Sequence, residues 1–126
     1  MIYKEEDVAQ GMKTIILDTN FVLWCLDHKI DMEQELERVC SFPYRIAVLK
    51  KTTQELQEIK HPKAKIALQL IQRYVQLDTP GAGYTDDDIC LLEQKTHILA
   101  TQDQELKRRW KGQKITVRDK SHLILQ

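Results

Sequence analysis

The chain has 126 residues, 42% hydrophobic and 30% charged, with a formal net charge of zero. That length suits one domain that buries roughly two-thirds of its unfolded surface without disulfide staples, and the composition excludes a disordered chain. No apolar run approaches the roughly 20 residues that span a bilayer, no apolar h-region marks a secretory signal, and zero net charge argues against strong non-specific nucleic-acid binding.

Residues 1–11 are polar and aperiodic. They are expected to form an N-terminal extension to a single domain over residues 12–126, with Met12 as an alternative start. Residues 14–18 read as a buried strand, being short, apolar and β-branched. Phe21 to Leu26 is apolar all round and reads as a short buried helix. Asp31 is placed to cap a helix carrying Met32, Leu36, Val39 and Cys40 on one face, stopped by Phe42-Pro43. Arg45 to Leu49 is the second strand, and Thr52 to Ile59 a helix ended by His61-Pro62. Ala67, Leu70, Ile71 and Tyr74 mark the next helix. Val75-Gln76-Leu77 is either a short strand or the helix end. The turn residues of Asp78 to Gly83 give a loop, and Thr85 opens a helix with Ile89 and Leu92 inside. Ile98 to Thr101 is a strand, Asp103 to Trp110 a helix, Ile115 to Val117 a strand, and His122 to Leu125 a candidate edge segment. Strands alternating with helices imply a three-layer α/β/α sandwich around a central, mostly parallel sheet.

Cys25, Cys40 and Cys90 are an odd count without an export signal, which favours a reducing, cytoplasmic location. They read as small core residues. Cys25 and His28 form a C-x-x-H pair with no second pair to complete a zinc site, and His28, His61, His97 and His122 lack ligand spacing.

The informative pattern is acidic. Ile15-Ile16-Leu17 ends in Asp18-Thr19-Asn20, Ile46 to Leu49 leads to Glu55, Gly83-Tyr84-Thr85 leads to Asp86-Asp87-Asp88, and His97 to Thr101 leads to Asp103. Each residue has an ordinary explanation. Thr52 to Glu55 matches a capping box, the aspartate triplet complements a helix dipole, and Asp18 and Asp103 are placed to cap the helices that follow. Jointly they ask for more, because a helix needs one cap and not three aspartates. In a parallel sheet these junctions share one edge, where ligands bind. Gathered carboxylates raise one another's pKa unless a cation joins them. All-oxygen ligands favour Mg²⁺ or Mn²⁺ over zinc, and such a site serves displacement at phosphorus.

With these residues in view, the chain resembles the PIN-domain ribonucleases, from about Lys13 to about Val117. The resemblance rests on Ile-Ile-Leu-Asp18-Thr19-Asn20, Glu55 opening the helix after the second strand, Gly-Tyr-Thr-Asp86-Asp87, and Leu-Ala-Thr101-Gln-Asp103-Gln-Glu-Leu-Lys-Arg-Arg. It is nearest to small stand-alone archaeal PIN proteins similar to ribosomal-RNA-processing nucleases, with toxin nucleases as a close second. The resemblance implies Mg²⁺- or Mn²⁺-dependent endonucleolytic cleavage of RNA, with one or two ions. Its acidic site falls on Asp18, Glu55, Asp87 and Asp103, with Asp86 as a further metal ligand and Asn20 and Thr101 as polar supports. Within the triplet, Asp87 is expected to face the metal, Asp86 to flank it, and Asp88 to serve the helix start. Two departures stand out: Asp88 replaces the small or apolar residue usual after the paired aspartates, and residues 1–11 carry no family motif.

Lys107, Arg108, Arg109 and Lys111, with Lys50 and Lys51 beside Glu55, are candidates for contact with RNA phosphates. Trp110 lies among them and could stack on a base, but covering a helix end is the favoured role, and Trp24 reads as core. Expected partners are RNA, an antitoxin or ribosomal assembly factors, and a second copy of the chain; no membrane is expected. Among other classes, a haloacid-dehalogenase-type phosphatase needs D-x-D where Asn20 stands. A receiver domain needs lysine in place of Asp103. The non-enzyme alternative is a catalytically weak PIN-like module that binds RNA or a protein.

Overall fold

The computed structural model describes residues 11–78 and 85–126. The N-terminal extension, apart from Gly11, and the loop expected through Gly83 beyond Asp78 lie outside the described residues. In chain order the elements are β1 (Lys13–Leu17), α1 (Thr19–Asp27), α2 (Met32–Val39), β2 (Tyr44–Leu49), α3 (Lys50–Glu58), α4 (Ala64–Ile71) and β3 (Val75–Leu77). They continue with α5 (Thr85–Cys90), β4 (His97–Ala100), α6 (Gln104–Arg109), β5 (Lys114–Arg118) and β6 (His122–Leu125). Among the described residues, no helix is long and apolar enough to cross a membrane.

The strands form one sheet in the order β3-β2-β1-β4-β5-β6. The first five run parallel, and β6 returns antiparallel beside β5. The candidate edge segment is thus a strand, and Val75-Gln76-Leu77 resolves as β3. The chain leaves β1 towards β2 and β3 on one side, then crosses to β4 and β5 on the other. The switch point therefore lies between β1 and β4, whose carboxyl ends are neighbours, Leu17 standing opposite Ala100. This is where an open parallel sheet forms its binding crevice.

Period-two alternation explains the layering. Ile15 and Leu17 join Val48, Ile98 and Ala100 in a core closed by Phe21, Leu36, Leu56, Ala67 and Ile71, from helices α1 to α4. Ile16 points the other way, with Ala47, Leu49 and Leu99, into a second core closed by Ile89 of α5, Leu106 of α6 and Trp110. A sheet covered on both faces requires the continuous apolar runs that β1, β2 and β4 carry.

Two features differ from local sequence reading, and Trp110 takes the role favoured for it. The helix expected from Thr52 begins at Lys50, directly after β2, with Leu49 at its cap position and no capping side chain. Glu55 therefore sits inside the helix and is not the second half of a capping box. Asp18 occupies the cap position of α1, yet its carboxylate makes no capping bond; its backbone carbonyl receives the Phe21 and Val22 amides. Trp110 is fully buried, its indole N–H donating to the Gln113 carbonyl at 3.0 Å, so it closes the second core and is not available to a base. Asp31 and Asp103 do cap, accepting from the Gln34 and Leu106 amides. The cysteines are free; Cys25 and Cys40 are buried and Cys90 is half-buried.

Candidate active site

Asp18 follows the last residue of β1, and its amide donates to the Ala100 carbonyl at 3.0 Å, which ties the two strand ends together. Only 6% of the residue is exposed. The buried Thr101 hydroxyl donates to Asp18 Oδ2 at 2.9 Å and accepts the Asp103 amide at 3.1 Å. Asp103 in turn spends Oδ1 on the Leu106 amide at 2.9 Å. Thr101 thus links the acid after β1 to the acid after β4.

Glu55 reaches the same edge from α3. Its Oε2 receives the Thr19 hydroxyl at 3.3 Å, and its Oε1 receives the Thr85 hydroxyl at the start of α5. Neither threonine stands out in the sequence as a support for Glu55. Their one signal is position: Thr19 directly follows Asp18, and Thr85 directly precedes the triplet.

Burial pushes the Asp18 carboxyl up from the usual 3.8 to about 6, with Asp86 and Asp103 adding repulsion against the Thr101 and Thr19 hydrogen bonds. Asp86 is also raised, first by burial and then by Asp103 and Glu55, with Arg109 opposing. Burial is the larger cause of both shifts, and the neighbouring carboxylates add to it.

The three members of the triplet have different partners. Asp86 is the member whose field reaches Asp18, Asp103 and Glu55. Asp87 is exposed, and its Oδ1 accepts from Arg109 at 2.7 Å. Asp88 is only 1% exposed and pairs with Lys51, Nζ to Oδ2 at 2.6 Å. Successive helical residues point about 100° apart, so the three carboxylates must serve three directions. The expectation is that Asp87 faces the metal and Asp86 flanks it; Asp87 is paired with Arg109, Asp86 is coupled to the other acids, and Asp88 does more than complement the helix start.

The supporting and basic candidates are spread more widely. Asn20 lies exposed on the first turn of α1. Lys50 pairs with exposed Asp78 at 2.7 Å. Arg108 is held by Glu105 one turn earlier, and Lys111 Nζ donates to the Arg108 carbonyl at 3.0 Å. Partial burial lowers the Lys107 pKa. Of the six basic candidates, Lys51 and Arg109 are the two whose ion pairs bind them to the aspartate triplet.

The donor set is all oxygen, which suits a hard divalent cation. Among the described residues, no three histidine, cysteine, aspartate or glutamate side chains already stand as a metal cage. The same carboxylates are instead held on threonine hydroxyls and a helix amide. A cation here would take oxygens that are oriented but not yet closed around it, and would offset both the burial and the repulsion that raise Asp18 and Asp86.

Known proteins bear on this geometry in three ways. The model of the PIN-like domain family matches residues 15–120. Ribonuclease VapC4 of Methanocaldococcus jannaschii is 33% identical over 107 residues, covering 76% of this chain and 81% of that protein. The rRNA-processing protein fcf1 of Schizosaccharomyces pombe is 31% identical over 100 residues, covering 75% of this chain but 52% of that protein, so the chain spans about half of its length. The structure of the PIN domain endonuclease Utp24 superposes with a TM-score of 0.79 at 24% identity, covering 90% of each chain, which is a likeness of fold. With the matched segment running from β1 to the end of β5 and taking in every acidic residue of the edge, the chain belongs to the PIN-like domain family.

Proposed function

We propose that this chain is a metal-dependent endoribonuclease that hydrolyses RNA phosphodiester bonds. The observation that carries the reading is the buried carboxylate of Asp18, raised to about 6 beside Asp86 and Asp103 at the switch point of the sheet. A buried carboxylate with carboxylate neighbours costs stability, and a bound cation would offset that cost. Two relatives named for RNA work, a ribonuclease and an rRNA-processing protein, support RNA as the substrate class.

In this reading Asp18, Glu55, Asp103 and Asp86 hold one or two Mg²⁺ or Mn²⁺ ions. When bound, the metal would supply charge stabilisation at the reacting phosphate and acidify a water. The chain's own contribution is orientation. Thr101 aims Asp18 and positions the backbone before Asp103, Thr19 and Thr85 fix the two oxygens of Glu55, and the start of α6 fixes Asp103. Arg109 stands beside Asp86 and Asp87, where it can exchange a carboxylate for a phosphate oxygen. Lys50, Lys107, Arg108 and Lys111 extend the cationic surface along the substrate path.

The biological setting divides between rRNA processing and a toxin-type nuclease, with ribosomal assembly factors or an antitoxin as the matching partner. A small antitoxin gene immediately upstream would favour the toxin. A catalytically weak RNA-binding module is the competing class. Cleavage of single-stranded RNA in Mn²⁺, its loss in EDTA, and its loss in Asp103→Asn and Glu55→Gln test the enzyme reading. Activity that survives EDTA and both substitutions would sink it, and RNA binding without cleavage would favour the module.

A further inference from the structure

We propose that the Lys51–Asp88 ion pair is a positioning device that fixes α5 against α3 and thereby sets where Asp86 stands relative to Glu55. The inference rests on the metal-site reading above, and it assigns Lys51 a role other than contact with RNA.

The helix α5 has six residues, Thr85–Cys90. A helix that short has no stability of its own, so its orientation is set by what it packs against. Ile89 anchors it in the second core. Cys90 packs beside it, but two adjacent residues at the C-terminal end leave the first turn of the helix loosely defined. Two polar links to α3 remove that freedom. Lys51 Nζ meets Asp88 Oδ2 at 2.6 Å, and Glu55 Oε1 receives the Thr85 hydroxyl. Lys51 and Glu55 are four residues apart on α3, hence on one face; Thr85 and Asp88 are three apart on α5, hence also on one face. The links are thus spaced by one turn on each helix.

The two links differ in strength. The hydroxyl link lies at an exposed position, whereas Asp88 is 1% exposed. A charge-assisted bond to a carboxylate this deeply buried is strong and directional, although the lysine side chain keeps 26% of its surface exposed. Removing one partner leaves the other charge buried and uncompensated, so the pair resists separation. With Asp88 committed to Lys51, the 100° steps of the helix send Asp87 to Arg109 and Asp86 towards the acids of the site.

The test uses the full chain and two readouts, neither of which needs RNA. Hydrogen exchange reports the amides of residues 85–90, and Mn²⁺ titration reports the site, for the wild type, Lys51→Met, Lys51→Arg and Asp18→Asn. Lys51→Met should speed exchange across α5 and weaken Mn²⁺ binding by roughly tenfold, the scale of lost outer-shell support. Lys51→Arg should recover much of both. If Lys51→Met fails to fold, Asp88→Asn replaces it and should show the same two losses. Unchanged Mn²⁺ affinity in the folded variant, whether or not exchange rises, would overturn the positioning role. The metal-site reading fails separately: its mark is Mn²⁺ binding that Asp18→Asn leaves intact, and exchange across α5 still decides whether the pair holds the helix.

Discussion

Thr101 donates its hydroxyl proton to Asp18 Oδ2 at 2.9 Å and accepts the Asp103 amide on the same oxygen at 3.1 Å. One fully buried side chain therefore orients the acid that follows β1 and the backbone before the acid that caps α6. Thr101→Val keeps the shape and removes both bonds. It leaves a buried carboxylate short of a donor, which should cost about 1–3 kcal/mol. Thr101→Ser keeps both bonds and should lie nearer the wild type. Urea denaturation in EDTA measures the difference; a larger loss in Thr101→Ser than in Thr101→Val would assign the effect to methyl contacts, which valine keeps and serine lacks.

Asp18 gives a pH signature. Its carboxyl is raised from 3.8 to about 6 in the fold, first by burial. Below about pH 4 it is protonated in both folded and unfolded chains and contributes no difference. Between pH 4 and 6 the folded chain holds the proton more tightly than the unfolded one, so stability falls as pH rises. Above pH 6 the penalty is complete, at about 3 kcal/mol for a shift of roughly two units. Asp18→Asn retains an oxygen for the Thr101 hydroxyl and discards the charge. In EDTA it should match the wild type near pH 4 and exceed it by up to about 3 kcal/mol at pH 7, while Mn²⁺ should stabilise only the wild type. A stability difference that does not change between pH 4 and 7 would contradict this account.

The sequence shows some of this directly and hides the rest for identifiable reasons. The strands β1, β2 and β4 are legible because burial on both faces requires unbroken apolar runs, and the acids stand out because they end those runs. The start of α3 is not legible: Leu49 passes straight from strand to helix, so the capping-box pattern at Thr52 falls inside an existing helix. The roles within Asp86-Asp87-Asp88 are not legible either. They are chosen by Lys51, 37 residues away, and Arg109, 22 residues away, and no local pattern records those distances. Trp110 lies in a basic run, yet the apolar layer beneath it decides its place.

The β5–β6 connection offers a stabilising change. Asp119 and Lys120 both adopt the left-handed region, with φ of 55° and 58°, and the Ser121 amide closes the turn onto the Arg118 carbonyl at 3.2 Å. That backbone matches the twist of a hairpin, but it suits glycine at the second central position. Aspartate tolerates the left-handed region; lysine has no side-chain bond that offsets it. Lys120→Gly should raise stability by about 1 kcal/mol, read as a higher melting temperature. A lower one would mean that the lysine stem contributes more than its backbone costs.

The division of labour within the triplet predicts unequal variants. Asp86 is coupled to Asp18, Asp103 and Glu55, so Asp86→Asn removes a carboxylate from the cation site. Its Mn²⁺ affinity and cleavage rate should each fall by roughly tenfold or more, since even outer-shell losses reach that scale. Asp87 instead neutralises Arg109 through a 2.7 Å ion pair. Asp87→Asn frees the guanidinium for phosphate while sparing the acids that hold the cation. RNA should then bind more tightly at low salt, and the salt dependence should steepen by about 0.7 in log–log slope, the value for one further phosphate contact on a single strand. Mn²⁺ affinity should change little. The comparison is between two adjacent, chemically identical substitutions, so general effects of charge removal cancel. A larger loss of Mn²⁺ affinity in Asp87→Asn than in Asp86→Asn would return the metal-facing role to Asp87 and make the Arg109 pair a bystander.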